Sequence, residues 1–266
     1  STPRLTGVES SGSLSTAEAS RRVFRHHPSL ASLVPELRAV ALVMTWTAVV
    51  PVGKSQVVGH HLAQAQAALS GAQEGSWPAI ESWRRVFARL GVRPTKHRCA
   101  AESLLRRLRT HGELPRIHPV VDVCNAVSAH YGVPIIAMDL DRVGGGLTVR
   151  RCSGSESWVG FDGSLVHPEP GEINYVDAAE HAHSLKWCHR QSARSAVHGR
   201  TSRALVVAEA VHERAEGDLV ALLEDLRSGL AEVAPDGVIR DMWMAPGSEL
   251  DLPTDGARVT EQEGTS

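Results

Sequence analysis

The hydrophobic pattern changes period several times along the chain, and each change marks an element. Residues 40–50 (VALVMTWTAVV) are almost continuously apolar and rich in β-branched side chains, which predicts a buried strand. Residues 60–69 read as a short Ala- and Gln-rich helix ending before Gly71. Trp83, Val86, Phe87 and Leu90 fall at i, i+3, i+4 and i+7, one face of a helix, with Gly91 as its stop. Leu104, Leu105 and Leu108 give a second helix over 102–109, stopped by Gly112, and a third spans 122–130 and closes at Gly132. Short strands are then predicted at 135–140, 147–151, 158–161 and 173–176, with Gly144-Gly145-Gly146 as a hairpin turn and a further break at Gly154. From Thr201 the pattern returns to helix, first over 205–214. A second helix follows, with Asp218 as N-cap and Leu219, Leu222, Leu223, Leu226 and Leu230 on its apolar face. Helices on both sides of a central mixed or antiparallel β region predict the α+β class. No internal repeat is visible.

The two ends lack this periodicity. Residues 1–20 are rich in Ser, Thr and Gly and read as a flexible extension, and residues 235–266 read as an acidic, poorly ordered tail. Between them, 21–234 reads as a single domain, since nothing linker-like interrupts it near residue 80 beyond 70–77. The length of 266 residues and an apolar share of 42% are enough for a packed core. The apolar run at 39–50 is too short for a membrane span, which needs about 20 residues. No charged segment followed by an apolar one opens the sequence. Cys99, Cys124, Cys152 and Cys188 are widely spaced, with no C-x-x-C, which suits reduced thiols and a cytoplasmic address. Cys188, between Lys186 and Arg190, is the one thiol with basic residues on both sides along the chain.

A net charge of −2 excludes a globally basic nucleic-acid coat. Locally the balance reverses. Arg84, Arg85, Arg89, Arg93, Lys96, Arg98, Arg106, Arg107, Arg109 and Arg116 are set against only Glu81, Glu102 and Glu113. That excess is either a solvated helix face or a surface for phosphate backbone, with Arg98, Arg106 and Arg107 as the candidate contacts.

Several motifs fail on inspection. Gly53-Lys54-Ser55 resembles the end of a phosphate loop, but the required upstream glycine is Ala48. No G-x-S-x-G elbow is present. The pairs His26-His27, His60-His61 and His181-x-His183 lack a partner at ligand spacing, so neither a metal nor another cofactor is expected.

Residues 118–163 carry a more specific pattern. Val121-Asp122-Val123-Cys124-Asn125 fits V-D-[ILV]-x-N, and Gly132-Val133-Pro134-Ile135-Ile136-Ala137-Met138-Asp139 fits G-x-P-x-x-A-x-D. Asp141-Arg142-Val143 and a strand ending at Val149-Arg150 follow. This segment resembles the B3/B4 domain of the phenylalanyl-tRNA synthetase β subunit. Residues 84–107, Gly171-Glu172-Ile173 and Lys186-Trp187-Cys188-His189-Arg190-Gln191 resemble the free-standing B3/B4 proteins. The likeness runs over roughly residues 80–212.

The resemblance implies an α+β, B3/B4-like fold and an editing function, in which a mischarged aminoacyl-tRNA is the ligand and its ester bond is hydrolysed. Such an ester is already activated, so orienting water and stabilising an oxyanion suffices without a covalent nucleophile. Carried over by position, Asn125 would hold the substrate amino group or terminal ribose, and the family threonine before it is Cys124 here. Glu209 is the best match to the editing-site glutamate and would read the polar end of the substrate. The synthetase pattern places His two residues after the proline; here that position is Ile136, which narrows the pocket toward an aliphatic side chain. Arg190 would bind the terminal phosphate or carbonyl, Trp187 would stack on the terminal adenine, and His189 would act as base. His118, opening the V-D-x-x-N helix, suits a capping role equally.

Three readings stay open. The first is a trans-acting deacylase, and the second an aminoacyltransferase that hands the group to a small-molecule acceptor, which a dry site would favour. The third is a non-catalytic tRNA-binding module. The sequence leaves the amino acid, the tRNA and the oligomeric state open.

Overall fold

The first apolar run after Thr201 is extended rather than helical. A computed structural model describes residues 21–254. In it Arg203–Ala210 is a strand, β10, at the centre of a four-stranded sheet. The expected helix at 205–214 is therefore corrected. Val206, Ala204 and Ala208 face one apolar cluster while Leu205 and Val207 face another, so both faces are covered and the strand reads as an unbroken apolar run.

The elements in chain order are β1 (Val23–His26), α1 (Ser29–Leu33), β2 (Arg38–Thr45), α2 (Gln56–Gly71), α3 (Pro78–Arg89), α4 (Ala100–His111), α5 (Pro119–Tyr131) and β3 (Ile135–Asp139). They continue with β4 (Leu147–Arg151), β5 (Trp158–Val159), β6 (Leu165–Val166), β7 (Ile173–Asp177), β8 (Ser184–Leu185), β9 (Arg190–Gln191), β10, α6 (Ala215–Val233), β11 (Val238–Trp243) and β12 (Glu249–Asp251). One sheet has the order β11-β2-β10-β3 and is antiparallel throughout; the other has the order β12-β1-β4-β7, with β1 and β4 parallel. The predicted α+β class, with a mixed and antiparallel β region flanked by helices, holds.

Two apolar layers follow from the alternation of β2 and β10. Val40, Leu42 and Met44 pack with Val123 and Val127 of α5 and Leu219, Leu222, Leu226 and Leu230 of α6. Ala39, Ala41 and Val43 face the opposite way, toward Phe24, Leu147, Val149 and Tyr175 of the second sheet and Trp83, Phe87 and Leu105 of α3 and α4. Each such leucine or phenylalanine contributes about 1.5–3 kcal/mol on leaving water. The cavity described below lies within the second of these layers.

The Gly triplet is also corrected. It does not turn a hairpin, because β3 and β4 belong to different sheets. A Cβ at Gly144 would sit 2.8 Å from Ala179 Cβ, and Gly145 has φ +81°, so glycine is required where the chain crosses between sheets. Gly144 N–H donates to Asp177 Oδ2 at 2.8 Å, which ties that crossing to β7.

The expected poorly ordered tail is corrected over 235–254. β11 pairs with β2 and β12 pairs with β1, so this stretch supplies one strand to each sheet. Its acidic and polar residues hid the strands, because both lie at sheet edges with few fully buried side chains. Residues 1–20 and 255–266 lie outside the described residues. No helix among the described residues is long and apolar enough to cross a membrane.

Candidate functional site

Helix α5 begins with a sequence-encoded cap: His118 Nδ1 accepts from Val120 N–H at 3.3 Å, and Pro119 occupies the first turn. The helix runs to Gly132, whose φ of +65° ends it and sends the chain into β3. Asn125 on this helix is half-buried, and its side-chain amide has no partner among the described residues. Ile136 follows on β3 and pairs with Val207 of β10.

The other wall comes from β8 and β9, a hairpin that pairs Leu185 with Arg190 and holds Lys186-Trp187-Cys188-His189 as its loop. Lys186 and Trp187 have φ of +49° and +62°, a left-handed pair that non-glycine residues rarely adopt. Glu172 and Asn174 hold it there. Lys186 N–H and Nζ both donate to the Glu172 carboxylate, at 2.7 and 2.6 Å, and Trp187 N–H donates to Ile173 O and Asn174 Oδ1. Burial raises the Glu172 acid, but the hydrogen bonds from Lys186 and Asn174, with the Lys186 charge, together offset it and keep it below the usual range.

Between these walls lies a cavity of about 320 Å³. Asn125, Ile136, Trp187, His189, Arg190, Glu209 and Arg107 all line it, so seven of the nine residues singled out in the sequence come together. Ala100, Ser103, Leu104 and Arg107 border it from one face of α4, and Pro134, Ile135 and Val207 add to its apolar wall. Arg98 and Arg106 do not join them. They line a separate polar recess with Glu74, Glu81, Arg84, Glu102 and Arg109.

Glu209 forms part of the cavity floor. It sits on the inward face of β10 beside Leu205 and Val207, where a carboxylate is out of pattern, and is 2% exposed. Its Oε1 is 2.7 Å from His26 Nε2; its Oε2 accepts from Tyr175 Oη at 2.6 Å and Trp187 Nε1 at 2.9 Å. The donors are what make a buried carboxylate tolerable. They also correct the stacking role assigned to Trp187: its ring is 1% exposed, edge-on to Trp83 at 5.2 Å, and fixes Glu209 instead of meeting a base. Burial beside Glu209 drives the Tyr175 phenol well above its ordinary value, so it stays a donor.

His189 is arranged differently. Its Nδ1 is 2.6 Å from the Arg98 carbonyl oxygen, which can only accept, so Nδ1 carries the proton and Nε2 is left as the basic nitrogen. Burial lowers the imidazole below its ordinary value and keeps it neutral at neutral pH. Arg190 and Arg107, both exposed at the cavity rim, make no ion pair among the described residues; the carboxylates of Glu172 and Asp177 are committed elsewhere, Glu172 to Lys186 and Asp177 to His183 and His181. Cys188 loses its candidacy as a thiolate. Burial pushes it well above its ordinary value, and the lysine beside it in sequence is committed to Glu172.

Half of the local basic excess is neutralised within the fold. Arg84 and Arg98 pair with buried Glu102, Arg85 with Glu81, Arg89 with Glu36 and Arg109 with Glu74. Arg93, Lys96, Arg106, Arg107 and Arg116 make no ion pair among the described residues. Arg98 therefore contributes through its backbone carbonyl under His189.

Sequence reasoning missed His26 and Tyr175. Their common partner lies 183 and 34 residues away, beyond any local spacing. One signal was available: Glu209 breaks the apolar run of β10 on the face it shares with Val207, visible once that segment is read with period two.

The chain belongs to the B3/4 domain family, whose model matches residues 82–222, just over half of its length. The match covers α4, α5, β3, β7, the β8–β9 hairpin and β10, which together line the cavity. Among curated relatives, the phenylalanine–tRNA ligase β subunit of Photorhabdus laumondii is 33% identical over 86 residues, 32% of this chain and 11% of that protein. The same subunit from Mycobacterium leprae is 36% identical over 106 residues, 38% of this chain and 13% of that protein. The likeness thus spans little more than a tenth of either relative. A crystal structure of an N-terminal fragment of the Pyrococcus horikoshii phenylalanyl-tRNA synthetase β subunit aligns with 88% of this chain and 54% of the fragment, at 12% identity and a TM-score of 0.45.

Proposed function

We propose that the cavity hydrolyses the ester of mischarged aminoacyl-tRNA that is charged elsewhere. One observation carries this reading: a neutral imidazole, an unpartnered amide and two unpaired guanidinium groups converge on a single apolar-walled cavity. Kinship to a tRNA ligase subunit supplies the ligand class.

In this reading the aminoacyl side chain lies against Ile136, Val207 and Leu104. The Asn125 amide holds the amino group or the ribose hydroxyl. Water attacks the ester carbonyl as His189 Nε2 takes its proton, and the C–O bond to the ribose breaks as the imidazolium returns a proton to the leaving ribose oxygen. Arg190 and Arg107 lie where positive charge stabilises the oxyanion and the terminal phosphates. Glu209, its oxygens shared among three donors, acts as a positioning residue for the floor and not as the base.

The apolar Ile136 favours a second reading, transfer of the aminoacyl group to an amine, because a dry wall disfavours water. Release of amino acid from a panel of charged and mischarged tRNAs separates them. Deacylation requires release from a few species with no added acceptor, abolished in Asn125→Ala. Silence with retained tRNA binding, relieved by adding an amine, would replace hydrolysis by transfer; protection of the ester would leave a binding module.

A further inference from the structure

The His60-His61 pair has no ligand partner nearby in sequence, but the fold brings one from 69 residues away. His61 on α2, 2% exposed, has its Nδ1 at 2.6 Å from Nδ1 of His130 on α5. Asp225 on α6 approaches the same pair, with His61 Nε2 at 3.5 Å from its Oδ2. One ligand atom from each of the three lies within 4.8 Å of the others.

We propose that His61, His130 and Asp225 bind a divalent first-row transition ion, of which zinc fits the ligand set best, clamping α2, α5 and α6 together. Two imidazoles and a carboxylate are a recurrent zinc set that leaves a fourth position for water. Imidazole ligates only as the neutral base, and burial lowers both His61 and His130 below the ordinary imidazole value. Tyr131 Oη donates to Asp225 Oδ2 at 2.7 Å and leaves Oδ1 without a hydrogen-bond partner among the described residues, an outer contact that orients a carboxylate ligand. Two nitrogens about 2.0–2.1 Å from a tetrahedral zinc stand roughly 3.3 Å apart, so binding opens the contact between the two rings by a side-chain rotation of under about 1 Å. Exposed His60, its ring 5.3 Å from that of His61, stands next to the cluster without joining it.

The inference is independent of the deacylase reading. The cluster is built on α2, α5 and α6, and none of its residues borders the cavity between α4 and the hairpin.

The test is cobalt(II) titration of the chelator-treated protein, followed by visible absorption and calorimetry, with the melting temperature read alongside. The expected result is one equivalent bound, with the intense d–d bands of a low-coordinate site and a rise in melting temperature. Asp225→Asn preserves side-chain volume and an acceptor for Tyr131; it is expected to weaken binding at least tenfold, and His130→Gln more, while His60→Ala binds like the parent. Weak absorption typical of hexa-aquo cobalt, multiple weak equivalents spread over the 14 histidines, or binding unchanged by Asp225→Asn would each overturn the proposal. Circular dichroism of each variant separates loss of ligand from loss of fold.

Discussion

His26 Nε2 and Glu209 Oε1 meet at 2.7 Å across 183 residues of sequence, joining the first strand of one sheet to the central strand of the other. With Tyr175 and Trp187 they form a buried polar knot in a layer that is otherwise apolar. Tyr175→Phe removes one donor and leaves the rest, and is expected to lower unfolding free energy by about 1–3 kcal/mol. Glu209→Ala strands three donors and should cost more. Urea unfolding of both variants checks the order; equal losses would mean that the knot is wet.

His189→Gln should lower the hydrolysis rate by ~10²–10⁴-fold with little change in substrate affinity, as for loss of a general base. On the proposed hydrolysis the base is the neutral imidazole, and the sign of the pH dependence follows from that. Burial lowers its pKa, so the rate should hold flat from neutral pH down past the ordinary imidazole value near 6.5 before it falls. A pH–rate profile whose acid limb sits above 6.5 would contradict this placement.

Charge reversal at Arg107 or Arg190 should weaken tRNA binding and reduce the salt slope of log K by about 0.7–0.9 for each phosphate no longer neutralised. Arg106→Glu should act more weakly, since Arg106 belongs to the neighbouring recess. Arg84→Ala leaves Glu102, 1% exposed, short of a partner and should show mainly as reduced stability. Filter binding across a salt series, beside melting curves, distinguishes the two classes.

Stability should fall as the solution is acidified below about 6.5. His61, His118, His130 and His189 are all lowered by burial, so between their folded values and 6.5 the unfolded chain binds more protons than the native one. The native state is thus favoured fully above that window and progressively less within it. The urea midpoint measured from pH 8 to pH 5 reads this directly, and a midpoint that stays constant down to pH 5 would show that these imidazoles protonate without penalty.

Gly229 sits inside α6, where alanine would ordinarily gain up to about 1 kcal/mol of helix propensity. A Cβ there would lie 2.7 Å from Val123 Cγ1 and 2.9 Å from Val57 Cγ1. Gly229→Ala is therefore expected to lose about 1–3 kcal/mol net through overpacking. A melting temperature at or above that of the parent would show that α2 and α5 yield easily.

How much of this was legible in the sequence depended on whether local patterning carried the information. The helices α3, α4 and α5 were, because their apolar spacing and the left-handed stops at Gly91, Gly112 and Gly132 are local. The hairpin residues His189 and Arg190, and Asn125 on α5, were also picked out, through the family pattern. β10 was not, since ALVVAEA, buried on both faces, has no alternation to betray a strand. The edge strands β11 and β12 escaped for the opposite reason, being short, interrupted by charged residues and half-exposed. The partners of Glu209 and of His61 were out of reach because they are set by tertiary packing alone.

The placement of β11 and β12 has a consequence for synthesis. β1 pairs with β12, and six of the eight residues of β2 pair on one side with β11, so one sheet is complete only once residue 243 has left the ribosome and the other only once residue 251 has. Until then β1 and β2 each present an open edge to whatever else is nascent nearby. A chain that stalls after α6 would carry every residue named on the cavity wall and still be the species most prone to pair with its neighbours.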